Sequence, residues 1–221
     1  MPIEYSCFIS YPHGKGKALE AFIKEFVAAL SDEIDVQTRK EIWVDYKRLE
    51  GGFRFNEKIA ADLCKAACMI TIYTPLYFDR EHTYCAREFK AMERLEKERR
   101  RKLEDRMDPS VGLIIPIVLR GWDDFPKTIR DERQVYNFEE IDLADSELKL
   151  RRLFAPKFKE MARYIIKCCK TLETLSEQLK VDICGGCGGF ALPSDLEAQQ
   201  FIESLTGREV PQVGVSFVNR P

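Results

Sequence analysis

The sequence predicts an α/β protein built on a parallel, doubly wound sheet. Short apolar segments alternate five times with segments of helical periodicity, which is the pattern of successive βα units. One of these segments, residues 68–74, is almost continuously apolar or β-branched, as expected of a strand covered on both faces. The composition, 45% hydrophobic and 33% charged, is typical of a globular chain and excludes general disorder.

Two strands and two helices precede that apolar strand. Residues 4–10 mix apolar and β-prone side chains and predict the first strand. Residues 17–30 place apolar side chains at alternating spacings of three and one, which predicts an amphipathic helix. Residues 41–45 predict the second strand, and residues 55–67 predict the second helix.

The third predicted helix carries a dense run of charge. It begins near Tyr84 and continues into residues 96–106, where acidic and basic side chains alternate. Such alternation favours a solvated helix face over a binding arm. Asp108-Pro109 should end the helix, because the residue before a proline disfavours helical backbone.

Two further strands and a long helix complete the α/β pattern. Residues 111–119 predict the fourth strand, although Pro116 inside it counts against a central position in the sheet. Residues 134–138 predict a short fifth strand. Ser146 is a candidate cap for a short helix, and Pro156 should open a long helix with one apolar stripe.

The remaining sequence is different in character. We therefore divide the chain into an α/β domain, residues 1–174, and a small C-terminal extension of unknown role, residues 175–221. Within the extension, Ser194-Asp-Leu-Glu197 has the form of a capping box and predicts a helix that ends near Gly207. Residues 213–218 are a candidate for a small extra strand.

Charge and hydropathy exclude several classes of function. The formal net charge of −2 provides no general basic field for nucleic acid, so we expect no direct nucleic-acid partner, although the net charge leaves a local basic patch open. The longest apolar run, residues 111–119, is too short to span a membrane and contains Gly112 and Pro116. No signal peptide is visible, so we expect a cytoplasmic protein with no membrane partner.

The chain has eight cysteines, which in a cytoplasmic protein should mostly be reduced thiols. Four of them lie on predicted apolar faces and are best interpreted as small buried hydrophobic residues. These are Cys7, Cys64, Cys68 and Cys85.

A CxxC motif lies in the extension. Cys184-Gly-Gly-Cys187-Gly resembles half of a zinc knuckle, and Cys168 with Cys169 is a candidate second pair of ligands. Adjacent cysteines on a helix seldom reach one metal ion, so structural zinc at Cys184 and Cys187 is not favoured. We expect a flexible hinge that carries two free thiols.

Three short motifs resemble those of the Toll/interleukin receptor (TIR) domain family over residues 4–170. In sequence order they are Cys7-Phe8-Ile9-Ser10-Tyr11; Trp43-Val44-Asp45 followed by Leu49-Glu50-Gly51-Gly52; and Tyr84-Cys85-Ala86-Arg87-Glu88. The third is similar to the tryptophan-cysteine-two-residues-glutamate motif of the enzymatic members. The resemblance implies a five-stranded parallel sheet in the flavodoxin-like order 2-1-3-4-5, in which a proline in the fourth strand is familiar.

The resemblance also implies a site for NAD. In that strand order the loops after strands one and three converge on one crevice at the switch point of the sheet. Glu88 is the candidate catalytic residue. The candidate substrate-binding residues are Ser10, Tyr11, Asp45, Tyr46, Lys47, Arg48, Gly52 and Tyr84.

The chemistry requires little beyond one placed carboxylate. Cleavage of the nicotinamide–ribose bond builds positive charge on the ribose, and the leaving group departs as a neutral pyridine. Glu88 would stabilise that charge, while Lys47 and Arg48 would hold the pyrophosphate. Alternatively, Glu88 is a helix-start carboxylate paired with a nearby cation. Glu81 is a fallback acid if Glu88 is buried and paired.

Other residues near this site carry open alternatives. Tyr11 and Tyr46 are candidates to stack on a base, or they are core aromatics. Tyr84 would cover the ribose or simply pack. His13, alone in a loop, is more often solvated than catalytic.

The leading hypothesis is an NAD⁺ hydrolase or cyclase, an effector in cell-defence signalling with NAD as substrate and no cofactor. The resemblance implies self-association through the loop after strand two and activation by an upstream protein or small molecule. A non-enzymatic TIR interaction scaffold is the alternative. A nucleoside ribosyl-transferring enzyme of flavodoxin-like fold is a weaker third hypothesis.

Overall fold

The fold is that of a flavodoxin-like α/β protein. A computed structural model describes residues 3–13, 17–44, 55–143, 147–184, 187 and 189–207. Over these residues the chain forms a five-stranded, all-parallel sheet in the order β2-β1-β3-β4-β5, which confirms the predicted fold class and strand order. The strands are β1 (Tyr5–Ser10), β2 (Glu41–Trp43), β3 (Ala66–Tyr73), β4 (Ile114–Val118) and β5 (Tyr136–Asn137). The helices are α1 (Lys17–Asp35), α2 (Phe55–Lys65), α3 (Tyr84–Lys102), α4 (Lys127–Glu132), α5 (Glu147–Leu179) and α6 (Asp195–Thr206).

The two central strands define the edge where a ligand would bind. Every residue of β1 and β3 is buried, as the continuous apolar sequence of β3 predicts. The register pairs Ser10, the last residue of β1, with Thr71 of β3. Because the strands are parallel, the loops that follow them leave the sheet side by side.

Pro116 lies in β4, an internal strand of the sheet, although a proline within a strand counts against such a position. It pairs with Thr71 on the β3 side. The pairing between β4 and β5 involves only Ile117 and Val118. Pro116 therefore lies just before the point at which β4 gains its second neighbour, where a missing amide hydrogen is tolerated.

The long helix α5 corrects the predicted start at Pro156. The helix begins at Glu147 and contains Pro156 in its interior, so the two expected helices are one. A proline there removes an amide donor from the helix. The apolar stripe compensates, because Phe158, Met161 and Ile165 are buried and Phe158 packs on Phe26 of α1 at 5.2 Å between ring centres.

The charged run of α3 is not a fully solvated face. Glu96 and Arg99 point inward and are buried, and the helix ends at Lys102 rather than running to residue 106. Glu104 and Asp105 then adopt left-handed backbone (φ 51° and 53°), which turns the chain away from the helix axis. The alternation of charge signs did not distinguish these inward positions from their exposed neighbours.

Arg99 joins α3 to the junction of α2 and β3. Its side chain is fully buried, and its guanidinium donates to the carbonyl oxygens of Cys64, Ala66 and Ala67 at 2.8 to 3.1 Å. The carbonyl of Cys64 lies in the last turn of α2, where helical carbonyls lack intrahelical donors. Arg99 therefore satisfies backbone groups that the interior would otherwise leave unpaired.

A single disulfide connects the extension to the α/β domain over the residues described. Cys64, at the end of α2, is bonded to Cys187, 123 positions later. The expectation of free thiols at these two positions is therefore wrong. Cys7, Cys68 and Cys85 are buried and are not part of a disulfide, as predicted.

The extension also packs through α6. The predicted capping box is confirmed, with Ser194 and Glu197 bonded reciprocally, and Gly207 ends the helix in left-handed backbone. Phe201 of α6 stacks on Phe89 of α3 at 5.7 Å between ring centres, and Arg94 pairs with Glu197 at 2.7 Å. Residues 213–218, the candidate extra strand, lie outside the described residues.

Replacing Arg99 with lysine should destabilise the protein strongly. Arg99→Lys keeps the positive charge but loses most of the fork that reaches three carbonyls. The free energy of unfolding should fall by about 2–4 kcal/mol, since buried acceptors lose their donors. Urea denaturation measures this, with Arg101→Lys on an exposed position of the same helix as the control. Equal effects of the two substitutions would contradict the role of Arg99.

Complete reduction of the Cys64–Cys187 disulfide should lower the free energy of unfolding of the wild-type protein by about 2–5 kcal/mol. The reason is that a bridge between distant residues restricts the unfolded chain. Denaturation midpoints with and without an excess of phosphine reductant give the difference. The double variant Cys64→Ser, Cys187→Ser should not respond to the reductant. Identical wild-type midpoints in both conditions would exclude a stabilising bridge.

Candidate functional site

Three polar side chains meet at the carboxyl edge of the sheet. Ser10 ends β1, Tyr77 lies in the loop after β3, and Glu88 lies on α3. The hydroxyl of Ser10 donates to Oε2 of Glu88 at 2.6 Å and lies 2.7 Å from the hydroxyl of Tyr77. The fold thus brings together residues 78 and 67 positions apart, at the switch point of the sheet.

The hydrogen bonds of this cluster have one consistent direction. Ser10 has a single hydroxyl hydrogen, which goes to Glu88, so Tyr77 must donate its own hydrogen to Ser10 Oγ. Burial raises the pKa of Tyr77 well above its usual value, with the charges of Cys85 and Glu88 acting in the same sense. Tyr77 therefore remains a protonated donor, and the chain Tyr77–Ser10–Glu88 orients the carboxylate.

The cluster is shielded from bulk water. Ser10 and Tyr77 are each about 1% exposed and Glu88 is 8% exposed. Glu88 is the fifth residue of α3, and the first turn of that helix carries no acidic residue. The position is thus less suited to a helix-start carboxylate than the sequence alone indicated.

Thr83 and Arg87 connect the start of α3 to the extension, and Tyr84 lies between them. Tyr84 is 45% exposed, and the guanidinium of Arg87 lies 5.4 Å from the centre of its ring. Arg87 donates to the carbonyl of Pro193 at 2.6 Å and lies 3.6 Å from a carboxylate oxygen of Asp195. Thr83 donates to the same Asp195 oxygen at 2.5 Å. The extension therefore supports the helix that carries Glu88.

The other predicted residues lie in several environments. Tyr11 is buried, with its ring 4.8 Å from that of the exposed His13, so it belongs to the core at the rim of the site. Glu81 is exposed, and its amide donates to Asp79. Predicted site residues that lie outside the described residues are Asp45, Tyr46, Lys47, Arg48 and Gly52.

Sequence reasoning missed Tyr77. The candidate aromatic residues of the site were Tyr11, Tyr46 and Tyr84. The sequence signal that could have identified Tyr77 was its position shortly after the third strand. A loop that leaves β3 at the carboxyl edge of the sheet must pass the end of β1.

A separate groove of about 870 Å³ lies between α3, α4 and the end of α6. Its lining includes the ion pair of Glu96 with Arg133 at 2.9 Å, together with Lys97 and Phe201. It shares no lining residue with the Ser10, Tyr77 and Glu88 cluster. The mixed charge of the groove favours no particular ligand, whereas the cluster has directed hydrogen bonds to a buried carboxylate.

The described residues contain no group of three or more His, Cys, Asp or Glu side chains suited to a metal ion. The sulfur of Cys187 is bonded to Cys64, so the pair Cys184 and Cys187 does not present two thiolate ligands in this structure. Cys168 and Cys169 are buried on α5. None of the helices in the described ranges is long and apolar enough to cross a membrane.

Comparison with known proteins yields no match. No family model, no curated protein and no solved structure was found to match this chain.

Removing the hydroxyl of Tyr77 should change how stability depends on alkaline pH. The raised pKa of Tyr77 stabilises the folded protein below pH 10. This stability is lost as the pH rises further, because the Tyr77 hydroxyl then ionises in the unfolded chain but not in the folded protein. Tyr77→Phe should cost about 1 kcal/mol at pH 8 through the lost hydrogen bond. It should then lose less stability than the wild type between pH 8 and pH 11.

Urea denaturation at the two pH values measures both effects. Tyr84→Phe, at an exposed position, is the control and should behave as the wild type. Part of the stability that is lost at alkaline pH should be lost in every variant, because burial also raises the pKa of Tyr136 and Tyr164. A Tyr77→Phe profile parallel to the wild type would contradict a buried, protonated Tyr77.

Proposed function

We propose that this protein cleaves NAD⁺ at the nicotinamide–ribose bond, as TIR-type NAD hydrolases and cyclases do. The observation that carries the proposal is the placement of Glu88, a shielded carboxylate held by Ser10 at the switch point of a 2-1-3-4-5 sheet. The resemblance of three sequence motifs to the TIR family supports the same activity.

The carboxylate would act on the ribose. As the bond to nicotinamide breaks, positive charge develops at the anomeric carbon and ring oxygen, and a negative group nearby lowers the barrier. Nicotinamide leaves as a neutral pyridine, so no general acid is required. Attack by water gives ADP-ribose, and attack by the adenine end of the same molecule gives a cyclic product.

The hydrogen-bond chain prepares the carboxylate for this role. Ser10 and Tyr77 restrict the orientation of Glu88 before the substrate arrives, so little reorganisation is needed during the reaction. Low exposure of Glu88 reduces screening by water, which strengthens its interaction with a developing cation. Tyr84, exposed on the same helix, would cover the ribose.

The remaining substrate contacts belong to the loop after β2. Lys47 and Arg48 would hold the pyrophosphate, and Asp45, Tyr46 and Gly52 would line the crevice beside them. The TIR resemblance assigns this same loop to self-association, so neighbouring copies would complete the site. Such a protein would be a cytoplasmic effector of cell-defence signalling, switched on by an upstream protein or small molecule.

Glu88→Gln should reduce nicotinamide release by at least roughly 10²-fold, because the amide keeps the shape of the side chain but loses its negative charge. Ser10→Ala should cause a smaller loss, of roughly tenfold, by releasing the carboxylate from its orientation. Nicotinamide and the ADP-ribose products are measured by chromatography over a range of protein concentrations.

Glu81→Gln is the matched control, since it removes an exposed carboxylate seven residues away without touching the cluster. It should retain wild-type activity and a wild-type melting curve. Glu88→Gln and Ser10→Ala alter buried hydrogen bonds, so melting curves should show that both remain folded at the assay temperature even if they melt somewhat lower. Equal activity of the wild type and Glu88→Gln would reject the assignment. Complete inactivity of the wild type in every assembly state would favour the interaction scaffold, in which Glu88 only supports the fold.

A further inference from the structure

A third cysteine lies beside the buried disulfide. The Sγ of Cys184 is 3.5 Å from the carbonyl oxygen of Cys64, and the amide of Cys187 donates to the carbonyl of Cys184 at 3.2 Å. All three cysteines are buried, with exposures of 0 to 3%. A free thiol and both sulfurs of a bridge therefore occupy one enclosed region at the end of α2.

A buried positive charge faces this thiol. The acceptors of the Arg99 guanidinium are the three carbonyl oxygens described above and the Sγ of Cys184, which lies 3.9 Å from Nη2. Carbonyl oxygens are neutral, so the sulfur is the member of this set that is able to become an anion. Burial lowers the pKa of Arg99, and negative charge on Cys184 opposes that shift. The Arg99 guanidinium therefore lies where it can stabilise negative charge that develops on this sulfur during a reaction.

We propose that Cys184, Cys187 and Cys64 form an internal thiol–disulfide exchange centre in which Cys184 is the nucleophile. The Cys184 thiol gives its proton to water, and the resulting thiolate attacks the Sγ of Cys187. The Cys184–Cys187 bond forms as the Cys187–Cys64 bond breaks. The electron pair of the broken bond leaves on Cys64, which takes a proton from water. The exchange is an isomerisation, so it consumes no oxidant or reductant.

The position of Cys184 explains why the attack is internal. Thiols in solution reach a bridge of 2 to 3% exposure only when the protein opens locally, whereas Cys184 is already inside. Two glycines separate Cys184 from Cys187, so no side chain opposes closure of the small ring between them. CxxC is a spacing that forms disulfides readily in redox-active proteins.

The exchange moves the covalent link from one place to another. Before it, the bridge ties the extension to α2 across 123 positions of the chain. After it, the bridge lies within the extension and Cys64 is a free thiol. The end of α2, which α3 holds through Arg99, is then no longer covalently joined to the extension.

Peptide mapping of the full-length protein tests the exchange. The oxidised protein is equilibrated with reduced and oxidised glutathione at several ratios, quenched in acid, alkylated at low pH and digested with trypsin. Residues 59–65 and 181–208 are predicted tryptic peptides that carry Cys64 alone and Cys184 with Cys187, respectively. We expect the cross-linked pair to give way to alkylated 59–65 and an internally bridged 181–208.

In Cys184→Ser the cross-linked pair should be the only disulfide-bonded species formed within the protein. Its bridge should be reduced by glutathione at least about tenfold more slowly than the bridge of the wild type. Cys184→Ala provides a second variant in case the serine disturbs folding, which thermal melting checks. Cys168→Ser removes a buried thiol on α5 and should exchange as the wild type does. Glu88→Gln should also exchange normally, so this result is independent of the proposed NAD cleavage.

Two outcomes would overturn the proposal. The first is the absence of an internally bridged 181–208 peptide at every glutathione ratio, together with equal rates of bridge loss in the wild type and Cys184→Ser. The second is a stoichiometric zinc ion with all three cysteines reduced in the isolated protein, measured by elemental analysis.

Discussion

The parallel pairing of β1 with β3 is the constraint on which the rest of the structure depends. Both strands are buried along their whole length, so their register is set by the need to keep every apolar side chain covered. That register places Ser10 at the carboxyl edge, next to the loop that carries Tyr77. The candidate site is therefore a consequence of how two central strands end, and the helices are arranged around them.

Helix α3 connects the candidate site, the extension and the interior. Near its start Glu88 accepts a hydrogen bond from the hydroxyl of Ser10, and the adjacent Phe89 stacks on Phe201 of the extension. Near its end Arg99 holds the carbonyls around α2. Glu88 and Arg99, two of the buried charged residues of this helix, are hydrogen-bonded, which is the condition under which an interior tolerates them. A movement of this one helix would therefore be felt at the site and at the disulfide alike.

Much of the fold could be predicted from local pattern, whereas the candidate site could be predicted only in part. Glu88 and Ser10 were found through motifs, and the structure places them in contact. Tyr77 was missed because nothing in its own neighbourhood distinguishes it from other loop aromatics. Pro156 was misplaced because helix-start preferences are local, while the packing of a long apolar stripe on α1 is not.

The sequence by itself determined the alternation of strands and helices and the limits of α6, because periodicity, a capping box and a terminal glycine act among residues within a few positions of one another. Tertiary structure alone decided that Arg99 points inward, that Cys64 is bonded to Cys187, and that Tyr77 supports Ser10. Each of these depends on groups tens of residues apart, whose meeting is set by packing of the whole chain and leaves no local trace in the sequence.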